Sequence, residues 1–292
     1  MRILIFGANG MLGHKLIQRL ATRFDVWGTI RGDFSTVARF GFFDQRRIVE
    51  GVDAEKTASI EEVLEHVRPD VVINAVGVIK QLPSAKDVIK TLTINSIFPH
   101  WLAAYSGKFG YRLICISTDC VFDGKTGGYT ETDMPNANDL YGKSKNLGEV
   151  TGSDCLTIRT SIIGRELATS HSLVDWFLSN RGGRVSGYRH AIYSGFPTIV
   201  FADIIASLIA DHKDLSGLYH VASEPINKFE LLRLVNKYYD AGIEITSSDE
   251  LVIDRSLDAS AFNAATGFKP EPWAEMIEKM AEDPTPYGTF NK

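Results

Sequence analysis

Gly7-Ala8-Asn9-Gly10-Met11-Leu12-Gly13 follows directly on the apolar run Arg2-Ile3-Leu4-Ile5-Phe6 and leads into a segment where Leu12, Leu16 and Leu20 recur every four residues. The run has the length of a strand, and the recurrence places the leucines on one face of a helix that begins near Gly10. Glycines at this spacing allow a tight strand-to-helix turn and a close backbone approach. A pyrophosphate can then sit against the N–H groups and the positive end of the helix. A plain tight connection would use the same residues, and in a chain with 25 glycines three of them are a weak signal. Their place at the head of an alternating pattern makes Gly7, Asn9, Gly10, Met11, Leu12 and Gly13 a candidate dinucleotide-binding turn.

The alternation continues outward from that turn. Apolar runs of strand length fall at residues 2–7, 25–30, 47–53, 70–76, 111–117 and 155–159, with segments of helical period between several of them. Ser59 with Glu62 three residues on reads as a capping box that opens a helix ending before Pro69. Six strands joined by crossover helices predict an α/β fold with a doubly wound parallel sheet, the Rossmann arrangement. Beyond Arg159 the alternation weakens. A helix is expected around residues 172–178, loops and short strands in the glycine-rich stretch 182–195, a strand at 218–222, and helices at 228–239 and 272–281. No linker or internal repeat separates these parts. The expected organisation is therefore a dinucleotide-binding domain (residues 1–164 and 199–223) interwoven with a smaller substrate-binding lobe (residues 165–198 and 224–292).

Composition narrows the class. The net charge of -5, with both signs interspersed, offers no basic stripe for a phosphate backbone, so nucleic acid is not an expected partner. Cys115, Cys120 and Cys155 are odd in number and lack metal-type spacing, and the sequences around Cys115 and Cys155 read as buried strands. These features point to a reducing compartment, with neither a disulfide framework nor a metal site. Met1-Arg2 runs at once into the first strand, unlike a secretory signal, and no apolar run approaches the ~18–20 residues that cross a bilayer. A cytoplasmic protein without a membrane partner is expected.

Cofactor choice is read at the end of the second strand, where an acid would bond the ribose hydroxyls and an arginine would pair with a 2′-phosphate. Arg31 stands there without an acid beside it, which favours NADPH and leaves NADH open; a solvated surface charge is the plainer alternative. Asp53, ending the third strand, can accept a hydrogen bond from an adenine amino group or simply close a turn. Of ten tyrosines only Tyr141 is followed four positions later by lysine, Lys145, which puts both side chains on one helix face. A neighbouring ammonium stabilises a phenolate and would bring the phenol toward the working range, so that Tyr141 could protonate a carbonyl oxygen as hydride reaches its carbon. Upstream, Ile114-Cys115-Ile116 runs into Ser117-Thr118-Asp119 at the carboxyl edge of the sheet, where a hydroxyl can hold the substrate oxygen.

Together these segments resemble the extended short-chain dehydrogenase/reductases, and within them the dTDP-4-dehydrorhamnose reductase-like branch. The resemblance rests on Gly7 to Gly13, Pro69-Asp70-Val71-Val72-Ile73-Asn74-Ala75, Asn95, Ser117-Thr118-Asp119-Cys120-Val121-Phe122-Asp123-Gly124, Tyr141 to Lys145 with Gly148-Glu149, and Arg159-Thr160-Ser161. It continues more weakly through Gly195-Phe196-Pro197-Thr198 and Gly217-Leu218-Tyr219-His220. It implies Thr118, Tyr141 and Lys145 as the catalytic triad, with Tyr141 and Lys145 also contacting the cofactor, Lys145 at the nicotinamide ribose. It further implies Asn74, Ala75 and Val76 along the cofactor, and Asn95 supporting the site. The implied reaction is NADPH-dependent reduction of the 4-keto group of a nucleotide-linked 6-deoxy-sugar, in nucleotide-sugar biosynthesis for surface polysaccharide, and a homodimer is compatible with it.

Three stretches depart from the pattern. Cys120 stands where the family has tyrosine, Ile162-Ile163-Gly164 replaces a bulkier sequence, and residues 187–194 lack the usual Asp-Gln. All fall where substrate would lie, beside Thr118, Asp119 and Cys120, so sugar and nucleotide stay open. Arg184 and Arg189 are candidates to clasp the diphosphate, because guanidinium matches phosphate geometry. Trp176 and Phe177 read as core and His220 as a satisfied structural histidine. An NAD-dependent epimerase or dehydratase on the same fold is the alternative enzyme; Arg31, and the absence of a glutamate after Asp119, weigh against it. A non-catalytic NADP-binding regulatory subunit is the alternative from another class, and it would not need Tyr141 and Lys145.

Overall fold

In the computed structural model, which describes residues 1–80 and 83–287, twelve strands run in chain order. They are β1 (Arg2–Phe6), β2 (Asp25–Thr29), β3 (Ile48–Val49), β4 (Val71–Asn74), β5 (Arg112–Ile116), β6 (Cys155–Arg159), β7 (Ile162–Ile163), β8 (Arg184–Tyr193), β9 (Phe196–Pro197), β10 (Gly217–His220), β11 (Ile226–Asn227) and β12 (Glu244–Asp254). The helices are α1 (Gly13–Leu20), α2 (Ser35–Ala38), α3 (Thr57–Val67), α4 (Val88–Leu92), α5 (Phe98–Phe109), α6 (Leu140–Leu147), α7 (Leu173–Leu178), α8 (Thr198–Asp211), α9 (Lys228–Tyr238), α10 (Ser260–Thr266) and α11 (Trp273–Ala281). None of the described helices is long and apolar enough to cross a membrane.

Seven strands form one parallel sheet in the order β3-β2-β1-β4-β5-β6-β10. Because successive side chains of a strand point to opposite faces, Ile3 and Ile5 enter one core layer while Leu4 and Phe6 enter the other. Burial of both faces explains why these strands read as continuous apolar runs rather than alternating ones. Leu16 and Leu20 of α1 and Phe201 and Ile205 of α8 fill the first layer; Ile60 and Leu64 of α3 and Phe98 and Leu102 of α5 fill the second. Strand order reverses between β1 and β4, so their carboxyl ends open the crevice where such sheets take ligands.

Several boundaries differ from expectation. The strand expected over residues 47–53 has only two paired residues, because a 3-10 turn occupies Gln45–Arg47 and Gly51 takes a φ of 71°. The helix opened by the expected capping box starts two residues earlier, at Thr57. Ser59 Oγ instead donates to the Asp53 carbonyl at 3.0 Å and receives the Asp53 N–H at 3.1 Å.

The stretch 182–195 is mainly one ten-residue strand, β8, flanked by antiparallel β11 and parallel β12. Its glycines hid the alternation of buried Val185, Gly187, Ala191 and Tyr193. A Cβ on Gly187 would stand 2.9 Å from Phe229 Cα, so the glycine lets α9 lie directly on the strand. Phe177 is buried as expected, whereas Trp176 is 42% exposed.

Candidate active site

The glycine turn sits at the reversal point. Gly7 has a φ of 84°, and a Cβ there would meet Val76 Cγ2 at 3.0 Å. A Cβ on Gly13 would stand 2.0 Å from the Gly7 carbonyl oxygen, so neither position accepts a side chain. Gly10 N–H donates to Gly7 O at 3.1 Å and His14 N–H to Gly10 O at 3.1 Å, and Leu12 at the N-cap of α1 supplies no side-chain acceptor to the other N–H groups of this turn. Asn74 is buried at the end of β4 and its Oδ1 receives the Val76 N–H at 3.1 Å, which holds Ala75 and Val76 against the turn. Asn9 and Met11 lie within the turn itself. Arg31 is exposed just past β2 and has no side-chain partner among the described residues. Asp53 Oδ1 receives the Glu55 N–H at 3.1 Å and so closes a turn, beyond the end of β3.

Thr118, Tyr141 and Lys145 come together beyond the end of β5. Thr118 caps the 3-10 turn Asp119–Val121: its Oγ1 receives the Cys120 N–H at 3.1 Å and donates to Asp119 Oδ1 at 3.2 Å. The half-buried Tyr141 lies on the first turn of α6, which packs on the Asp119–Val121 turn, and the Thr118 hydroxyl is among the groups that set its titration. Lys145 Nζ donates to the Ile116 carbonyl at 2.6 Å. The expected lowering of the phenol by Lys145 does not hold in this geometry. Burial, the Cys120 thiol and the Asp119 and Asp139 carboxylates push Tyr141 up, and the Thr118 hydroxyl pulls it down. Burial lowers Lys145 itself. It pushes the Cys120 thiol up to about 12 and raises the Asp119 carboxyl against hydrogen bonds from Ser161 and Thr118 and the charge of Arg255.

The supports under these groups are packed close. Asp139 caps α6 by receiving the Gly142 N–H at 2.8 Å. A Cβ on Gly142 would stand 2.2 Å from the Cys120 carbonyl, so a glycine there lets the first turn of α6, which carries Tyr141, lie directly on the turn that Thr118 caps. Asn95 lies in a π-helical turn, Thr93–Ile97; its side chain receives the Val78 N–H at 2.8 Å and donates to Ser144 Oγ at 3.1 Å, tying the loop after β4 to α6. Beneath, buried Glu149 pairs with Arg159 through two bonds of 2.8 Å and receives Ser117 Oγ at 2.6 Å. His220 is a fully buried structural group: its Nδ1 stands 2.9 Å from the Tyr129 carbonyl and its Nε2 3.2 Å from Arg159.

The second lobe does not bring Arg184 and Arg189 to this place. Both lie on exposed positions of β8, paired with Glu244 at 2.8 Å and Asp249 at 2.5 Å of β12. At ~3.3 Å rise per residue, Arg184 is roughly 30 Å along the strand from Tyr193. Three other cations approach instead. Lys228 opens α9 and has no ion pair or hydrogen bond among the described residues; its charge is felt with those of Asp119, Cys120 and Arg255. Arg255 Nε donates to the Phe122 carbonyl at 2.9 Å. Lys80 Nζ lies 5.5 Å from the centre of the Tyr141 ring and pairs with Asp139 at 2.7 Å. Sequence reading missed all three. The Asp139-x-x-Gly142 cap was a legible signal, but nothing local marks Lys228 or Arg255.

A model of the family described as "RmlD substrate binding domain" matches residues 1–285. The chain is 32% identical over 166 residues to a dTDP-4-dehydrorhamnose reductase from Burkholderia thailandensis, an alignment covering 55% of this chain and 50% of that protein. The match thus spans about half the length of that relative. Among solved structures, a hypothetical dTDP-4-dehydrorhamnose reductase from Sulfolobus tokodaii is 28% identical with a TM-score of 0.77, covering 94% of this chain and 98% of that one. The fold is shared also with the dTDP-4-dehydrorhamnose reductase of Bacillus anthracis, solved in complex with NADP: 24% identity, TM-score 0.78, 96% of this chain and 98% of that one.

Proposed function

Because the chain belongs to the RmlD substrate binding domain family, we propose that it reduces the 4-keto group of a nucleotide-linked 6-deoxy-sugar with NADPH, as a cytoplasmic homodimer serving nucleotide-sugar and surface-polysaccharide synthesis. The observation that carries the reading is the meeting of Thr118, Tyr141 and Lys145 at the carboxyl edge of the sheet that also holds the glycine turn. The turn fits the cofactor, since Gly7 and Gly13 leave backbone where any Cβ would intrude and the first-turn N–H groups lack a side-chain cap. Gly7, Asn9, Gly10, Met11, Leu12 and Gly13 hold the pyrophosphate, Asn74, Ala75 and Val76 the wall beside it, Asp53 the adenine and Arg31 the 2′-phosphate.

NADPH, when bound, supplies the hydride. The chain's own groups do the rest. Thr118 Oγ1 and Tyr141 Oη hold the keto oxygen, and Tyr141 gives it a proton as the carbon is reduced. The Tyr141 phenol carries its proton near pH 7, as a donor must, and the Thr118 hydroxyl is the neighbour that favours release of that proton toward the keto oxygen. Lys145 uses one ammonium proton on Ile116 and keeps others for the nicotinamide ribose. Asp119 and Cys120 flank the sugar. Residues 1–164 and 199–223 form the cofactor-binding part of this reading, and residues 165–198 and 224–292 the substrate lobe, in which Lys228 and Arg255 replace Arg184 and Arg189 as the phosphate-binding cations.

Absorbance at 340 nm with NADPH and dTDP- or UDP-4-keto-6-deoxy-sugars tests the proposal. NADPH oxidation with one of them is the expected result. Tight cofactor binding without turnover of any 4-keto-sugar would instead favour the epimerase or the regulatory subunit.

A further inference from the structure

Residues 283–287 lie back across the start of α1, against two buried groups that the proposed chemistry does not use. Lys15 is 2% exposed, and its Nζ stands 2.5 Å from Asp283 Oδ2, 2.5 Å from Gln18 Oε1 and 2.8 Å from Thr285 Oγ1, so all three ammonium protons are taken. An ammonium buried without such partners would cost several kcal/mol, which fixes the segment to the helix.

His14 is fully buried, with Nδ1 2.8 Å from the Gly10 carbonyl and Nε2 2.8 Å from Tyr287 Oη. A carbonyl oxygen only accepts, so Nδ1 carries the ring proton. Burial and the neighbouring Lys15 lower the imidazole to about 4, so the ring is neutral and Nε2 accepts from the Tyr287 phenol. The 3.1 Å approach of Tyr287 Oη to Asp283 Oδ2 is the weaker alternative for that one proton.

Gly10 O thus receives two donors from residue 14, the backbone N–H at 3.1 Å and the ring at 2.8 Å. A peptide group is planar, with C=O and N–H pointing in opposite directions. Fixing the Gly10 carbonyl toward the helix therefore aims the Met11 N–H outward, at the mouth of the glycine turn. We infer that His14 and Tyr287 are positioning residues for the cofactor pyrophosphate, and that residues 283–287 are a strap that sets the Gly10–Met11 peptide. The inference rests on reading Gly7 to Gly13 as the pyrophosphate turn. The strap also touches the second lobe, where the Arg165 guanidinium lies 4.8 Å from the centre of the Tyr287 ring. Cofactor turn and second lobe therefore share one set of contacts.

Tyr287→Phe keeps the ring and removes the donor. The expected result is an NADPH Kd raised about tenfold, the scale of one buried hydrogen bond. The Kd for adenosine 2′-monophosphate, which has no pyrophosphate, and kcat at saturating NADPH should be unchanged, and amide exchange at Met11 should be faster. His14→Phe should reproduce this, and His14→Gln, which keeps an N–H donor, should recover part of it. Unchanged NADPH affinity with unchanged exchange at Met11 overturns the strap. So do equal losses for both nucleotides, which would mark a general loss of structure. If the unaltered protein binds neither nucleotide, the cofactor reading fails, and the exchange at Met11 decides the strap by itself: faster supports it and unchanged overturns it.

Discussion

The end of β5 and the length of β8 treat their polar side chains in opposite ways. Thr118 and Asp119 are each 6% exposed and bonded to one another, and Lys145 is held by a backbone carbonyl. Arg184 and Arg189 have side chains 67% and 52% exposed and are balanced by carboxylates on the adjacent strand. A strand end in a parallel sheet is fixed by ladder bonds on one side and opens on the ligand crevice on the other, so groups there are both rigid and partly desolvated. Residues along an exposed strand have water and a neighbouring strand to satisfy them. Ion pairs of the second kind contribute about 0–1 kcal/mol, whereas groups of the first kind can act strongly on a reacting atom.

By that contrast, the largest effect comes from the strand end. Tyr141→Phe should lower kcat about a thousandfold while NADPH affinity stays within about twofold, since a positioned proton donor contributes roughly 10²–10⁴-fold. Single-turnover rates with fluorescence titration of the cofactor would check both halves, and a loss of tenfold or less would break the comparison. Next is Gly142→Ala. Alanine is the better helix former, but its Cβ would meet the Cys120 carbonyl at 2.2 Å and Ala137 Cβ at 2.4 Å. The helix must shift, and with it Tyr141 from Thr118. A displacement near 1 Å costs on the order of a hundredfold in rate, and the strain about 1–3 kcal/mol in stability. Steady-state kinetics and urea unfolding would measure the two.

The same contrast governs what was legible in the sequence. Ile3, Leu4, Ile5 and Phe6 are buried on both faces, so their strand shows in the hydrophobic pattern, and the glycines after it mark a turn that tolerates no Cβ. Tyr141 and Lys145 were legible because helical spacing is local. β12 was not, since its residues are mostly exposed or half-exposed and no apolar periodicity marks it. Lys228 and Arg255 were not, because only the return of β8, α9 and β12 to the end of β5 places them. The pairing of β3 was overread because the apolar pattern over residues 47–53 gave no sign of the turn at Gln45–Arg47.

Smaller effects sharpen the comparison within the second lobe. Lys228→Met should raise the KM for the nucleotide-sugar about tenfold or more and leave kcat within twofold, as expected for a lost hydrogen bond to a charged group. It should also raise Tm, because a half-buried ammonium without a partner among the described residues is held at a cost that methionine removes. A variant that loses affinity while gaining stability identifies a group kept for a ligand and not for the fold. Lower stability with unchanged KM would return Lys228 to an ordinary structural role.

Arg184→Ala and Arg189→Ala complete the series and should do least. Each guanidinium already has a carboxylate partner, at 2.8 Å and 2.5 Å, and both pairs are open to solvent, so salt and side-chain entropy offset most of their attraction. Each substitution should change stability by less than about 1 kcal/mol and the KM for the nucleotide-sugar by less than twofold. The sensitive measurement is the double variant compared with Lys228→Met at low and moderate salt. If the diphosphate is held at Lys228 and Arg255, only Lys228→Met weakens the salt dependence of KM. If the arginines on β8 swing away from Glu244 and Asp249 to meet it, the double variant weakens it instead, and the distinction between a ligand-facing strand end and a self-satisfied strand face no longer holds for this protein.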